Sequence, residues 1–231
     1  MNIQGLQKMT LLDYPGRVAC TVFLGGCDFR CPFCHNFELV VGPLPTYMED
    51  DEFFAFLDKR HGLLDGVAIT GGEPCLRRDL PDFIARIKDA GFPVKLDTNG
   101  SHPAMLRDLL QRGLVDYVAM DVKNSPAKYA HTVGLPHIDI APIDESIQML
   151  KESTIDYEFR TTVVRELHDA ADFEEIARWI AGARQYFLQP FTDRDAVPDK
   201  TLSAPNPASL HQFRDIVAQH VGLSAIRGLD E

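Results

Sequence analysis

The sequence predicts an α/β fold: a six-stranded parallel sheet with intervening helices, arranged as a (β/α)6 partial barrel. Short apolar, β-branched runs alternate about six times with segments of helical periodicity. That alternation implies parallel strands joined by right-handed crossovers. Glycine-containing or polar motifs fall just after the strands, where parallel α/β folds place their ligand sites. Alternation alone fits either a barrel or an open doubly wound sheet. A closed eight-stranded barrel takes about 250 residues, so a chain of 231 favours a partial one.

The elements justify that reading in order. Residues 18–24 are apolar and β-branched and predict a buried strand, preceded by a turn signal at Tyr14-Pro15-Gly16. Residues 39–46, with Gly42, Pro43 and Pro45, read as irregular. Residues 49–60 place Phe53, Phe54 and Leu57 at helical spacing, a core-facing cluster. Strands are expected at 66–70, 94–96, 115–120, 157–164 and 186–188, with a further one at 223–227. Helices are expected at 80–90, 104–112, 143–151, 173–183 and 208–220. Gly113 suits the end of the helix before it. Residues 193–207 read as loop. No repeat, low-complexity segment or linker divides the chain, so a single domain over residues 1–231 is expected.

Composition narrows the function. The net charge of −11 argues against a nucleic-acid substrate, which asks for a basic surface. No apolar run reaches membrane-spanning length, and the first fifteen residues lack the pattern of a secretory signal. A cytoplasmic protein is the expectation. Five cysteines, an odd count, suit thiol or metal chemistry better than a disulfide framework. Cys20 lies in an apolar run and is expected in the core; Cys75 is expected to pack near the site. His168, His211 and His220 carry no pairing pattern and read as surface or helix residues.

The chemistry concentrates in Gly25-Gly26-Cys27-Asp28-Phe29-Arg30-Cys31-Pro32-Phe33-Cys34-His35-Asn36. Paired glycines and a proline rule out a plain helix or strand, leaving a loop able to gather three thiolates. A structural zinc site and a cysteine-held iron–sulfur cube each normally take four protein ligands. Three therefore suggest a cluster with one iron open to another ligand. A Cys3His zinc knuckle completed by His35 is the competing reading, although His35 directly follows Cys34. Gly71-Gly72-Glu73-Pro74 ends the second strand; its glycines let backbone approach a ligand, and its carboxylate can accept from an ammonium group. Asp97-Thr98-Asn99-Gly100 offers short polar groups after the third strand. Asp121 and Lys123 flank the end of the fourth, and Arg160 lies within the fifth as a paired interior cation or a carboxylate clamp.

The CxxxCxxC spacing together with the GGEP turn resembles the radical S-adenosylmethionine (radical SAM) superfamily. That resemblance implies a six-stranded parallel (β/α)6 partial TIM barrel and a [4Fe-4S] cluster on Cys27, Cys31 and Cys34. It also implies that SAM chelates the fourth iron. Phe33 would lie near the adenine, Gly71, Gly72 and Glu73 at the amino end of SAM, and Asp97, Thr98 and Asn99 at the ribose. Asp121 and Lys123 are similar to a DxK that lines the SAM site in glycyl-radical-activating enzymes. His35 and Arg160 complete the expected cofactor pocket. Leu11-Leu12-Asp13-Tyr14-Pro15-Gly16, with Gly25-Gly26-Cys27 and Cys34-His35-Asn36, looks like the activating proteins of anaerobic ribonucleoside-triphosphate reductases. This implies a radical SAM oxidoreductase that forms a glycyl radical on such a reductase, with flavodoxin or ferredoxin as electron donor. No cysteine lies between Cys34 and Gly71, so the extra-cluster insert of some glycyl radical activases is missing. Two alternatives stand beside this: a radical SAM enzyme acting on another glycyl radical enzyme or a small molecule, and a non-catalytic metal or iron–sulfur module.

Overall fold

Seven parallel strands and one antiparallel edge strand form the central sheet of the computed structural model, which describes residues 1–41 and 44–228. In chain order the strands are β1 (Gly5–Thr10), β2 (Ala19–Leu24), β3 (Gly66–Gly71), β4 (Val94–Thr98), β5 (Tyr117–Asp121), β6 (Asp156–Val163), β7 (Gln185–Pro190) and β8 (Leu223–Ile226). They lie side by side in that same order. No pairing joins β8 to β1 among the described residues, so the barrel is partial, as expected. The six expected strands are all present, and the seventh, β8, pairs parallel to β7. The sheet is thus wider than the six strands predicted. Gly42 and Pro43, within the stretch read as irregular, and the last three residues of the expected single domain lie outside the described residues.

The helices are α1 (Asp50–Asp58), α2 (Leu80–Asp89), α3 (Pro103–Gln111), α4 (Ala141–Glu152), α5 (Ala170–Trp179) and α6 (Pro207–Ala218). Helix α2 shows why they hold: Leu80, Phe83, Ile84 and Ile87 share one face and are all buried. Each such side chain stabilises by roughly 1.5–3 kcal/mol on burial. Phe53 and Leu57 of α1 enter the core as expected, while Phe54 stays half-buried beneath the Arg86 guanidinium. Cys20 is fully buried.

The inner faces of two halves of the sheet differ. Strand β3 reads Gly-Val-Ala-Ile-Thr-Gly, the near-continuous apolar run of a strand covered on both sides. Strands β4 and β6 alternate instead: Val94-Lys95-Leu96-Asp97 and Tyr157-Glu158-Phe159-Arg160. Successive side chains point to opposite faces, so one face of each is apolar and the other ionic. The ionic face looks into the barrel. Near its base Glu158, with no exposed surface, takes both Arg227 nitrogens at 2.6 Å and the Tyr117 hydroxyl at 2.6 Å.

Candidate active site

The three-cysteine loop leaves the carboxyl end of β2 and meets the turn that ends β3. Gly72 N–H donates to Leu24 O at 2.8 Å and Glu73 N–H to Gly26 O at 2.7 Å. A Cβ on Gly72 would stand 2.0 Å from Gly26 O, and one on Gly71, at φ +128°, would stand 2.1 Å from Leu24 O. Only glycine allows this approach. The loop is tied elsewhere as well: Arg30 N–H donates to Val133 O at 2.8 Å and Asp199 N–H to Pro32 O at 3.1 Å.

Cys27, Cys31 and Cys34 line one cavity of about 270 Å³, shared with Phe33, His35, Asp97, Thr98, Asn99, Asp121, Lys123 and Arg160. Burial pushes the Cys27 thiol up to about 12 and the Cys31 thiol to about 11, and also raises that of Cys34. Thiols this desolvated ionise readily only against a strong local positive charge, which coordinated metal supplies. Among the described residues no three His, Cys, Asp or Glu side chains converge on a single-ion site. Three cysteines from one short loop, all opening on one cavity, are the donor set that a [4Fe-4S] cube with one iron left open would take. His35 does not join the sulfurs. Its Nε2 lies 2.7 Å from Thr192 O and its ring packs on Phe191. The zinc-knuckle reading therefore loses its fourth ligand.

Glu73 is only 1% exposed. Its Oε1 accepts from Cys75 N–H at 2.9 Å and from the Thr98 hydroxyl at 2.8 Å; its Oε2 accepts from Asn99 N–H at 2.6 Å. A carboxylate has about four acceptor sites, so one on Oε2 is unfilled; Gly71, Gly72, Thr98 and Asn99 line the cavity, and Glu73 lies behind them rather than in its wall. Burial outweighs these three donors and lifts the Glu73 carboxyl to about 7. An ammonium group arriving there would restore the charged form. Thr98 and Asn99, expected at the ribose, are tied into this turn, and Asn99 Nδ2 also donates to Asp28 Oδ1 at 3.1 Å. Cys75 is buried beside the turn as expected.

Across the cavity, five charges form one chain. Lys95 pairs with Asp97, and Asp97 meets Arg160 Nη2 at 3.1 Å. Arg160 also pairs with Asp121, which meets Lys123 Nζ at 2.8 Å. Burial raises both carboxyls, but the neighbouring cations prevail and hold Asp97 and Asp121 below the usual carboxylate range. Arg160 is thus a paired interior cation. Three cations face two carboxylates, leaving one positive charge over. Lys123 Nζ also stands 6.0 Å from the centre of the buried Phe33 ring.

Thr162 and Gln189 in the cavity wall, and Lys95 buried against Asp97 beneath it, escaped the sequence reading. They are ordinary residue types inside strands, and only the period-two alternation of β4 and β6 signals an inward-facing polar row. His168 is a correction: it is buried, not a surface residue. Its Nε2 lies 2.9 Å from Lys123 O and its Nδ1 3.1 Å from Val164 N. The ring fills the space where β5 and β6 both turn, so it is held by backbone rather than by a side-chain partner visible in sequence. His211 and His220 are exposed as expected.

Fold and site together define an iron–sulfur enzyme built on a partial α/β barrel. The chain belongs to the radical SAM superfamily, whose profile matches residues 21–180. Members of that family use a [4Fe-4S] cluster and SAM. The chain is 33% identical to a candidate glycyl-radical enzyme activating enzyme of Methanocaldococcus jannaschii, across 99% of this chain and 96% of the relative. It is 30% identical to the pyruvate formate-lyase-activating enzyme of Clostridium pasteurianum, across 53% of this chain and 52% of that protein. In fold it resembles a domain of the pyruvate-formate lyase-activating enzyme of Bacteroides vulgatus, with TM-score 0.57 and 20% identity, across 71% of this chain and 99% of that domain. No helix among the described residues is long and apolar enough to cross a membrane.

Proposed function

We propose that this protein is an activase that forms a glycyl radical on an anaerobic ribonucleotide reductase, drawing its electron from flavodoxin or ferredoxin. The observation that carries the reading is the junction of the three-cysteine loop with the turn at Gly71 and Gly72, both over one cavity, with Glu73 fixed directly behind. Near-full-length similarity to a candidate glycyl-radical enzyme activating enzyme supports the class of partner. The Leu11–Gly16 and Cys34-His35-Asn36 stretches favour the reductase as the particular one.

Cys27, Cys31 and Cys34 would hold the [4Fe-4S] cluster. When bound, the cluster would supply one electron, from the external donor, for breaking the C–S bond of SAM to methionine and a 5′-deoxyadenosyl radical, which would take a hydrogen atom from the partner's glycine. The chain's own residues bind, orient and exclude water. Glu73 Oε2 accepts from the ammonium of SAM. The excess positive charge shared by Lys123, Arg160 and Lys95 faces the SAM carboxylate. Phe33 offers an apolar ring to the adenine, and Asp97, Thr98 and Asn99 border the ribose.

Anaerobic reconstitution with SAM and the reductase tests this: a glycyl radical signal in electron paramagnetic resonance is expected. Cys31→Ala should abolish SAM cleavage. Normal cleavage in that variant refutes the cluster assignment, and SAM cleavage without any radical on the reductase refutes the partner.

A further inference from the structure

The polar groups of the cavity divide into two sets. Most of those on the loop after β2, on β4, after β5 and at Arg160 of β6 are engaged: in the Glu73 turn, in the five-charge chain or, for His35 and Asn36, with backbone carbonyls. Thr70 on β3, beside Gly71 at the cofactor turn, makes no side-chain hydrogen bond among the described residues. The other two without a partner are Thr162 and Gln189. They are register partners across β6 and β7, so they lie on one face. That face is the inner one, because Arg160 sits two residues before Thr162. Both line the cavity. Neither side chain makes an intramolecular hydrogen bond among the described residues, and both are half-buried.

The order of strands separates two reactants. The family's cofactor motifs occupy the carboxyl ends of β2, β3, β4 and β5 in turn. Strands β6 and β7 follow next in the sheet and hold the unused groups on the remaining wall. Their chemistry selects the ligand. A carboxamide offers a planar donor and acceptor side by side, and a hydroxyl adds one of either kind. Neither carries charge, and of the three nearby cations two are matched by Asp97 and Asp121 while the third charge is the one assigned above to the SAM carboxylate. With SAM bound, a second carboxylate or phosphate would find no cation left on this wall, whereas a neutral peptide group has the complementary donor and acceptor.

We infer that Gln189 and Thr162 form a receptor for the main-chain amide of the glycine segment from which hydrogen is taken. This rests on the activase reading above and deepens it, giving two residues that set specificity for a peptide. Gln189 Oε1 accepts from the glycine N–H, Nε2 donates to a neighbouring carbonyl, and Thr162 takes the remaining backbone group.

The test uses the reconstituted holoenzyme with SAM and a short blocked peptide spanning the radical-bearing glycine of an anaerobic ribonucleotide reductase. A second probe carries N-methylglycine at that position. Peptide affinity is read by fluorescence anisotropy, and transfer from an α-deuterated glycine by deuterium in 5′-deoxyadenosine. The wild type should prefer the unmethylated probe. Gln189→Leu should weaken its binding about tenfold, the scale of one or two lost neutral hydrogen bonds, and should erase the preference. Thr162→Val, which keeps side-chain shape, should weaken binding by a smaller factor and carries the test if Gln189→Leu fails to fold. Variants that bind and discriminate like the wild type, while the wild type transfers deuterium, overturn this inference alone. A wild type that transfers none overturns the activase reading and this inference with it.

Discussion

At Glu73 a buried carboxylate keeps one acceptor site unused while three donors of its own chain fix its geometry. Glu73→Gln tests what that site is for. The amide replaces an acceptor with a donor and removes the charge that would meet an ammonium. Hydrogen bonds to charged groups contribute about 1.5–3 kcal/mol, so the SAM dissociation constant should rise about ten- to a hundredfold in calorimetry. An unchanged constant would remove Glu73 from the SAM site. This residue was legible in the sequence because two glycines and a proline frame it, as was the cysteine trio because of its density. Thr162 and Gln189 were not, since a threonine or glutamine within a strand carries no local signal. Only their register with Arg160 and the emptiness in front of them mark them.

At the scale of elements, the excursion after β5 braces the cysteine loop. Residues 123–135 carry a short helical turn, Tyr129–Thr132. The Tyr129 ring meets Phe29 at 6.3 Å, its hydroxyl accepts from Lys123 N–H at 3.3 Å, and Val133 O accepts from Arg30. One segment thus backs both the cluster loop and Lys123. At its end Gly134 has φ +71°, and a Cβ there would stand 2.2 Å from Arg30 O. Gly134→Ala must either strain its own backbone or displace the loop, at a cost of order 1–3 kcal/mol. A lowered denaturation midpoint together with reduced iron per chain after reconstitution is expected. An unaltered iron content would show that the brace does not position the cysteines. The elements also show where pattern reading stops. Strand β1, Gly-Leu-Gln-Lys-Met-Thr, is a largely exposed edge, so it has no apolar run to betray it. Helix α5 starts at Ala170, three residues before the expected 173, because Asp169 and Asp172 form a reciprocal capping box. The usual partner at that third position is Glu or Gln, and the shorter Asp hid the signal.

Over the whole molecule, the sheet is pinned at its far end by Arg227, which follows β8 and neutralises Glu158 inside the barrel. Removing one member of a buried pair typically costs about 3–5 kcal/mol. Arg227→Met should therefore destabilise strongly in denaturant unfolding, and Glu158→Gln combined with it should recover part of the loss. Two other buried groups give stability opposing pH dependences. Desolvation lowers the pKa of His168, against the hydrogen bonds its charged ring would donate to the Lys123 and Val164 carbonyls and the charge of Asp172, with Lys128 acting alongside burial. Below about 6.5 the unfolded chain therefore binds a proton that the folded one refuses. Stability contributed by neutral His168 falls on acidification, by up to about 1.4 kcal/mol per pH unit. Glu73 acts in reverse. Its folded pKa of about 7 exceeds the unfolded value of about 4.3, so the folded chain binds more protons between them. Its contribution falls as pH rises through that window. The SAM-free wild type should show a shallow profile between pH 5 and 7, the difference of two slopes. His168→Gln should tilt it so that acid becomes comparatively stabilising, and Glu73→Gln should tilt it the other way. Urea unfolding of the three proteins at pH 5.5 and 7.5 reads both tilts, and parallel profiles would mean that neither group changes its proton occupancy on folding.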